Sequence, residues 1–314
     1  MPNYPQEERS PYISFIYLLL LALAGAVFFT LIAYIIGILI YGTHVIGDSQ
    51  DVLAGNNSTG LGFLKMVQIA STIGTFIVPA AVFGAIQSKY PLKYLKLSTP
   101  LRSVFILLGI GVMVSSGPLL ELTVRLNKTM ELPEFLSGLE NWMRNQEATL
   151  EKLTIQLLQT NDFVDLLLNI VMIAILPAVG EELLFRGCLQ KIIISKSNNY
   201  HLGIWIAAFV FSAIHMQFYG FLPRMLLGGL FGYLLVWSNS IWVPILAHFI
   251  NNATTVIYAY VYERKGKNLV EIVNESSYEG NVLLYFFSFL FTALLLWLFY
   301  NKSLEINKDA KRLG

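Results

Sequence analysis

The sequence predicts an all-α fold, a polytopic membrane helix bundle with about eight transmembrane helices. Three observations predict it. Hydrophobic residues make up 55% of the 314 and charged residues 13%, against roughly 25% charged in soluble domains. The apolar residues gather into long runs, near the ~20 residues a helix needs to cross the hydrocarbon of a bilayer. The loops between those runs divide by charge, with lysine and arginine concentrated on alternate connections, and this is the pattern that orients membrane proteins.

Taken in order, the first run, Ile13–Tyr41, is too long for a cleaved signal peptide and reads as a tilted anchor helix. Met66–Ile86 and Val104–Leu122 follow, and the connection between them holds Lys89, Lys93, Lys96 and Arg102 with no acid. Glu134–Gln159 is not a span. Its Phe135, Leu139, Trp142, Met143, Leu150, Leu153 and Leu157 recur at helical spacing among polar residues, and Pro133 suits a helix start. Such a helix either lies on the outer face or covers the bundle, or else is a solvated linker. Val164–Ile194 is the fourth span, and the basic residues after it, Lys191 and Lys196, are again unopposed. Leu202–Met216 and Met225–Trp237 are short; Ile241–Tyr260 and Val282–Tyr300 complete the set, before a tail with Lys302, Lys308, Lys311 and Arg312. Connections 42–64 (Asp48, Asp51), 123–162 and 261–280 carry the acids. The expectation is a multi-pass cell-membrane protein with both termini in the cytoplasm. Arg224, at the outer start of the sixth helix, is the one base that runs against it.

The formal net charge of +1 argues against a nucleic-acid partner, so the lipid bilayer is the partner that the composition identifies. A single cysteine, Cys188, excludes an intrachain disulfide and a cysteine-based zinc cluster.

Residues 181–187 read Glu-Glu-Leu-Leu-Phe-Arg-Gly inside an otherwise apolar run. An ionisable side chain at mid-bilayer costs roughly 2.5–3.5 kcal/mol on insertion scales, so a group of them points to chemistry or transport. Glu182 and Arg186 are four apart and can pair along the helix; Glu181, about 100° round, is left for other work. His215 ends Phe211-Ser-Ala-Ile-His in the fifth helix, and His248 and Asn252 share a face of the seventh. The turn between helices four and five has its midpoint at position 198. Equal counts from it place Glu181 and His215 at one depth, about 25 Å along the axis, with His248 roughly 10–15 Å shallower. Each feature has a structural alternative, since a lone membrane histidine, or a His/Asn pair, can be interhelical glue. Gly228 and Gly232 give helix six a small-residue face for close packing.

The order Glu-Glu-x-x-x-Arg, Phe-x-x-x-His, His-x-x-x-Asn, carried by Glu181, Glu182, Arg186, Phe211, His215, His248 and Asn252, resembles the CAAX protease and bacteriocin-processing family. That family includes the CAAX prenyl protease 2 type. The likeness covers roughly residues 164–260 and extends to the approach Asn239-Ser-Ile-Trp-Val-Pro-Ile-Leu-Ala-His248. It implies a protease core at 161–262, behind N-terminal helices with the amphipathic segment (1–160) and before an outer loop, last helix and tail (263–314).

The resemblance implies an intramembrane endopeptidase acting on a peptide or membrane-protein substrate. By family analogy Glu181 with His215 would activate water, and His248 with Asn252 would form the oxyanion site. Glu182 and Arg186 complete the candidate catalytic set, and no cofactor is favoured. The alternative chemistry is a zinc site of Glu181, His215 and His248 with an open position for water. The alternative class is a non-catalytic membrane protein, such as a bacteriocin-immunity factor, a scaffold or a small transporter.

Overall fold

The computed structural model of the chain describes residues 10–44, 58–160, 162–266 and 281–312, without the side chains of 58–59 and 307–312. The acids Asp48 and Asp51, most of the 261–280 connection and the side chains of Lys308, Lys311 and Arg312 lie outside the described residues.

Every described element is a helix, as the apolar runs require. Helix α1 is Pro11–Tyr41; α2 runs through Ser58–Thr72, Ile73–Ile77 and Val78–Gln87; α3 is Ser103–Lys128 and α4 Ser137–Leu158. Helix α5 is Phe163–Ser197; α6 is Tyr200–Ala213, α7 Phe221–Ser238, α8 Trp242–Arg264 and α9 Val282–Arg312. Six of these are long and apolar enough to cross a membrane, namely α1, α2, α3, α5, α7 with its preceding turn, and α9. The other two expected spans are helices of another kind. Helix α6 has only 14 residues, and α8 has 23 but carries His248, Asn251 and Asn252 in its middle. The spanning helices turn leucine, isoleucine and phenylalanine outward, for example Leu23, Val27, Phe28 and Leu31 of α1. Such a surface is stable in lipid and would aggregate in water.

Two helices wind wider than α just ahead of a proline. Ile73–Ile77 precedes Pro79, and Ile170–Ile175 precedes Pro177. Proline has no N–H and crowds the carbonyl four residues back, so the backbone loosens there. Close approach follows at the same level: a Cβ on Gly180 of α5 would sit 2.8 Å from Phe76 Cβ of α2. A third π-wound stretch, Glu182–Leu189, contains no proline, and all eight of its residues are buried. Leu183, Leu184, Phe185, Cys188 and Leu189 form the core there with Phe83, Phe211 and Ile245 of neighbouring helices.

The charged connections gather at two ends. At one, Lys196 Nζ lies over the Tyr12 ring, Lys96 bonds Asn239, and Trp237 meets Tyr300. This end holds the start of α1, the 88–102 segment, the 198 and 239 turns and the last turns of α9. At the opposite end α4 packs across the 215–220 turn. The Trp142 ring stands 5.5 Å from Phe218, the Arg144 guanidinium 4.7 Å from the Tyr219 ring, and Glu147 accepts the Tyr219 N–H. The amphipathic segment is therefore a cover on the bundle, while Phe135, Leu139 and Trp142 at its start stay exposed.

Candidate active site

The acid pair sits where α5 is wound wide, and His248 of α8 reaches it. Glu182 is fully buried. Its Oε1 accepts from Arg186 Nη1 at 2.7 Å and faces His248 Nδ1 at 2.9 Å. The pairing along the helix thus exists, and α8 adds a histidine to it. Arg186, 1% exposed, also donates to Gly228 O of α7 at 3.1 Å. The backbones approach closely there: a Cβ would stand 3.1 Å from Ala208 Cβ and 3.2 Å from Arg186 Nη2, so a larger residue would have to push these neighbours back. The Gly228/Gly232 face is more than packing, since Gly232 O likewise accepts from Gln190 Nε2. The guanidinium also lies 4.5 Å from the Phe211 ring and 5.4 Å from that of Phe231, so its charge is bounded by a carboxylate, a carbonyl and two π faces.

His248 stacks on Phe231 with ring centres 5.1 Å apart. Its Nε2 stands 3.8 Å from Glu181 Oε2, beyond direct hydrogen-bond reach and within the span of one bridging water. The depth estimate for this histidine is overturned, because it lies level with the acids and not 10–15 Å shallower. The turn preceding α8 is the reason. Ser240 and Ile241 are buried under the 94–99 segment, held by Ser240 Oγ to Thr99 O and Trp242 Nε1 to Leu97 O. Helix α8 therefore begins inside the bundle and not at its surface.

Helices α5 and α6 form the expected hairpin. Asn198 takes the left-handed cap conformation at the turn, and the Phe185 and Phe211 rings, whose numbers average to 198, meet edge-on at 5.3 Å. His215 lies one turn beyond Phe211 and hydrogen-bonds its carbonyl through Nδ1 at 2.7 Å. Among the described residues it makes no hydrogen bond or ion pair with Glu181; it joins the cluster through the Phe211 ring, 5.0 Å away, which His248 meets from the other side at 6.1 Å. Asn252 donates from Nδ2 to Ile173 O at 3.1 Å. That carbonyl is the one Pro177 leaves without its usual helical donor, so α8 repairs a break in α5. Asn251 Nδ2 in turn donates to Asn252 Oδ1, which fixes the orientation of the Asn252 amide and leaves its second N–H for another acceptor.

Both imidazoles give Nδ1–H to an acceptor, so each neutral ring presents a lone pair at Nε2. With Glu181 these are donor types that zinc accepts. Among the described residues, however, no group of three or more His, Cys, Asp or Glu side chains is placed to hold a metal ion. Three residues escaped the sequence reading. Gln190 and Phe231 are uncharged and look like core. Arg224 was read as a topological exception, yet its charge acts on both Glu181 and His215.

A model of the family described as type II CAAX prenyl endopeptidase, Rce1-like, matches residues 163–254. The chain is similar to the uncharacterized protein YpbD of Bacillus subtilis (strain 168), 33% identical over 89 residues, which are 27% of this chain and 42% of that protein. It is similar also to the putative membrane peptidase YdiL of the same organism, 30% identical over 90 residues, 29% of this chain and 36% of that one. The chain therefore spans less than half the length of the curated relatives it matches. No solved structure matches it. The segment of residues 163–254, which contains the paired acids, both histidines and Asn252, belongs to the CAAX protease family of Rce1-like type.

Proposed function

We propose that the chain is an intramembrane endopeptidase that hydrolyses a peptide bond with a water activated by Glu181. The observation that carries this is the buried meeting of Glu181, Glu182, Arg186 and His248 inside the family-matched segment. In this reading Glu182 with Arg186 is the fixed frame. It holds the His248 ring by Nδ1 and aims Nε2 at the water shared with Glu181. A neutral ring with that tautomer takes a proton; once protonated, the same Nε2–H donates to the oxyanion or to the leaving amine. The Asn252 amide offers its second N–H as an oxyanion donor, and the His215 Nε2 lone pair is a second proton acceptor. Support for an apolar substrate comes from a groove of ≈ 320 Å³ between α5 and α8, lined by Ile175, Ala178, Val179, Ile245, Leu246 and Phe249. It runs past the residues that flank Glu181 and His248, and a peptide segment in the bilayer could enter through it. Residues 161–262 would then be the protease core, braced by 1–160 and 263–314.

Replacing Glu181 with Gln keeps size and hydrogen bonding but removes the base. Proteolysis should fall by about 10²–10⁴-fold, the usual cost of losing a general base, and uncut membrane peptides should accumulate in cells carrying only that variant. Comparison of their membrane peptides by mass spectrometry is the test. An unchanged profile would leave a non-catalytic role of the immunity or scaffold kind.

A further inference from the structure

Arg186 and Arg224 are the two guanidinium groups whose charges act on Glu181, and they differ in how they are satisfied. Arg186 is neutralised by Glu182 at 2.7 Å and capped by a backbone carbonyl. Arg224, in the first turn of α7, donates from Nη2 to Gln217 Oε1 at 2.7 Å, while its Nη1 is buried without a hydrogen-bond partner. Among the described residues no carboxylate forms an ion pair with it, although its charge acts on Glu147, Glu181 and His215. The guanidinium lies against Gly220, where a Cβ would stand 3.3 Å from Nη2 and 3.5 Å from Nη1. The group therefore packs on the 215–220 turn, which carries His215 at its start. A cation that was only structural would be expected to have a partner for every buried N–H, as Arg186 largely does.

We propose that Arg224 is the carboxylate-binding subsite of this active site, taking an acidic group on the peptide close to the bond presented to Glu181. The chemistry selects the ligand. A planar fork with spare N–H donors matches a carboxylate in two parallel hydrogen bonds, and burial strengthens such a pair. A peptide offers a carboxylate either at its C-terminus or on an aspartate or glutamate side chain. The proposal rests on the endopeptidase reading, and its test is made by binding so that the two can fail separately.

The full chain in detergent is titrated with three probes: acetyl-Val-Ile-Leu with a free carboxylate, the same peptide as its C-terminal amide, and acetyl-Val-Glu-Leu amide. Saturation-transfer NMR reads the binding. At least one carboxylate-bearing probe should bind about tenfold or more tightly than the neutral amide, as for other charge-assisted hydrogen bonds; which one it is names the source. The preference should vanish in Arg224→Gln and survive in part in Arg224→Lys. Equal binding of all three probes, binding of none, or a preference that persists in Arg224→Gln would overturn the proposal. Should Arg224→Gln fail to fold, Glu147→Gln decides. Removing the competing acid should widen the preference several-fold while leaving the neutral amide unaffected, and an unchanged preference counts against the subsite. Loss of hydrolysis in Glu181→Gln, or its absence in the wild type, bears on the peptidase reading alone.

Discussion

Glu181 and Glu182 are neighbours in sequence with different surroundings, and the difference decides what each substitution costs. Glu182 is surrounded on every side, with one oxygen shared between Arg186 and His248 and the other buried without a partner. Exchanging it for Gln leaves Arg186 as an uncompensated buried charge, which costs about 3–5 kcal/mol. Glu181 has only the 3.8 Å approach to His248, so Glu181→Gln should change stability by no more than about 1 kcal/mol. Thermal unfolding of the two purified variants in detergent separates them; equal losses would mean that the frame and the base have been assigned to the wrong residues. The 182/186 pair was legible because helical spacing alone brings it together. The His248 contact was not, since it depends on where α8 begins, and that is set by the burial of Ser240 and Ile241 under another segment. Gln190 and Arg224 carried no spacing signal at all.

The helices contribute more than placement. The π-wound Glu182–Leu189 presents eight consecutive buried residues, which a regular helix on a bundle surface does not do. The stretch before Pro177 frees the carbonyl that Asn252 takes up. The proline was visible in the sequence, but the donor to the freed carbonyl, 79 positions on from Ile173, was not. Helix α4 shows the same division. Its period predicted an amphipathic helix, yet only tertiary contact decides between linker and cover, through Trp142, Arg144 and Glu147. Glu147 titrates at that contact. Burial raises its carboxyl above the ordinary glutamate range and outweighs the opposing pull of the Tyr219 N–H and of Arg224. The docked helix then holds more protons than the released one in the window just above that range, so docking weakens as pH rises through it. Hydrogen exchange over residues 137–158 should be slower in mildly acidic buffer than in neutral buffer once corrected for intrinsic rates. Glu147→Gln should abolish the difference. Protection that grows with pH would show that Glu147 does not govern the cover.

Across the whole molecule, charge and contact agree on two ends. The 87–103 connection contains four bases and no acid, and the structure brings it to the same end as the 198 turn and the start of α1. At the opposite end the bases face acids. Lys65 lies 4.0 Å from Asp165 and Arg144 2.6 Å from Glu140. The Arg224 charge acts on Glu147, so the one exception to the topological rule also has an acid in its field. Unopposed lysine near an anionic cytoplasmic leaflet is worth about 1 kcal/mol per residue, whereas a base facing an acid contributes little to that bias. We propose that the lysine-rich end faces the cytoplasm and α4 the outer face, with α6 and α8 added to the six long apolar helices as crossings, eight in all. In that arrangement α6 and the 214–220 turn cross together, because 14 residues reach only about 21 Å. Ser98 and Ser137 are exposed at opposite ends, and Cys188 is fully buried. In a Cys188→Ser background, a cysteine at Ser137 should react with an impermeant maleimide added to intact cells, and one at Ser98 only after the membrane is opened. Reaction of both from outside would refute the eight crossings, and reaction of Ser98 alone would invert the orientation.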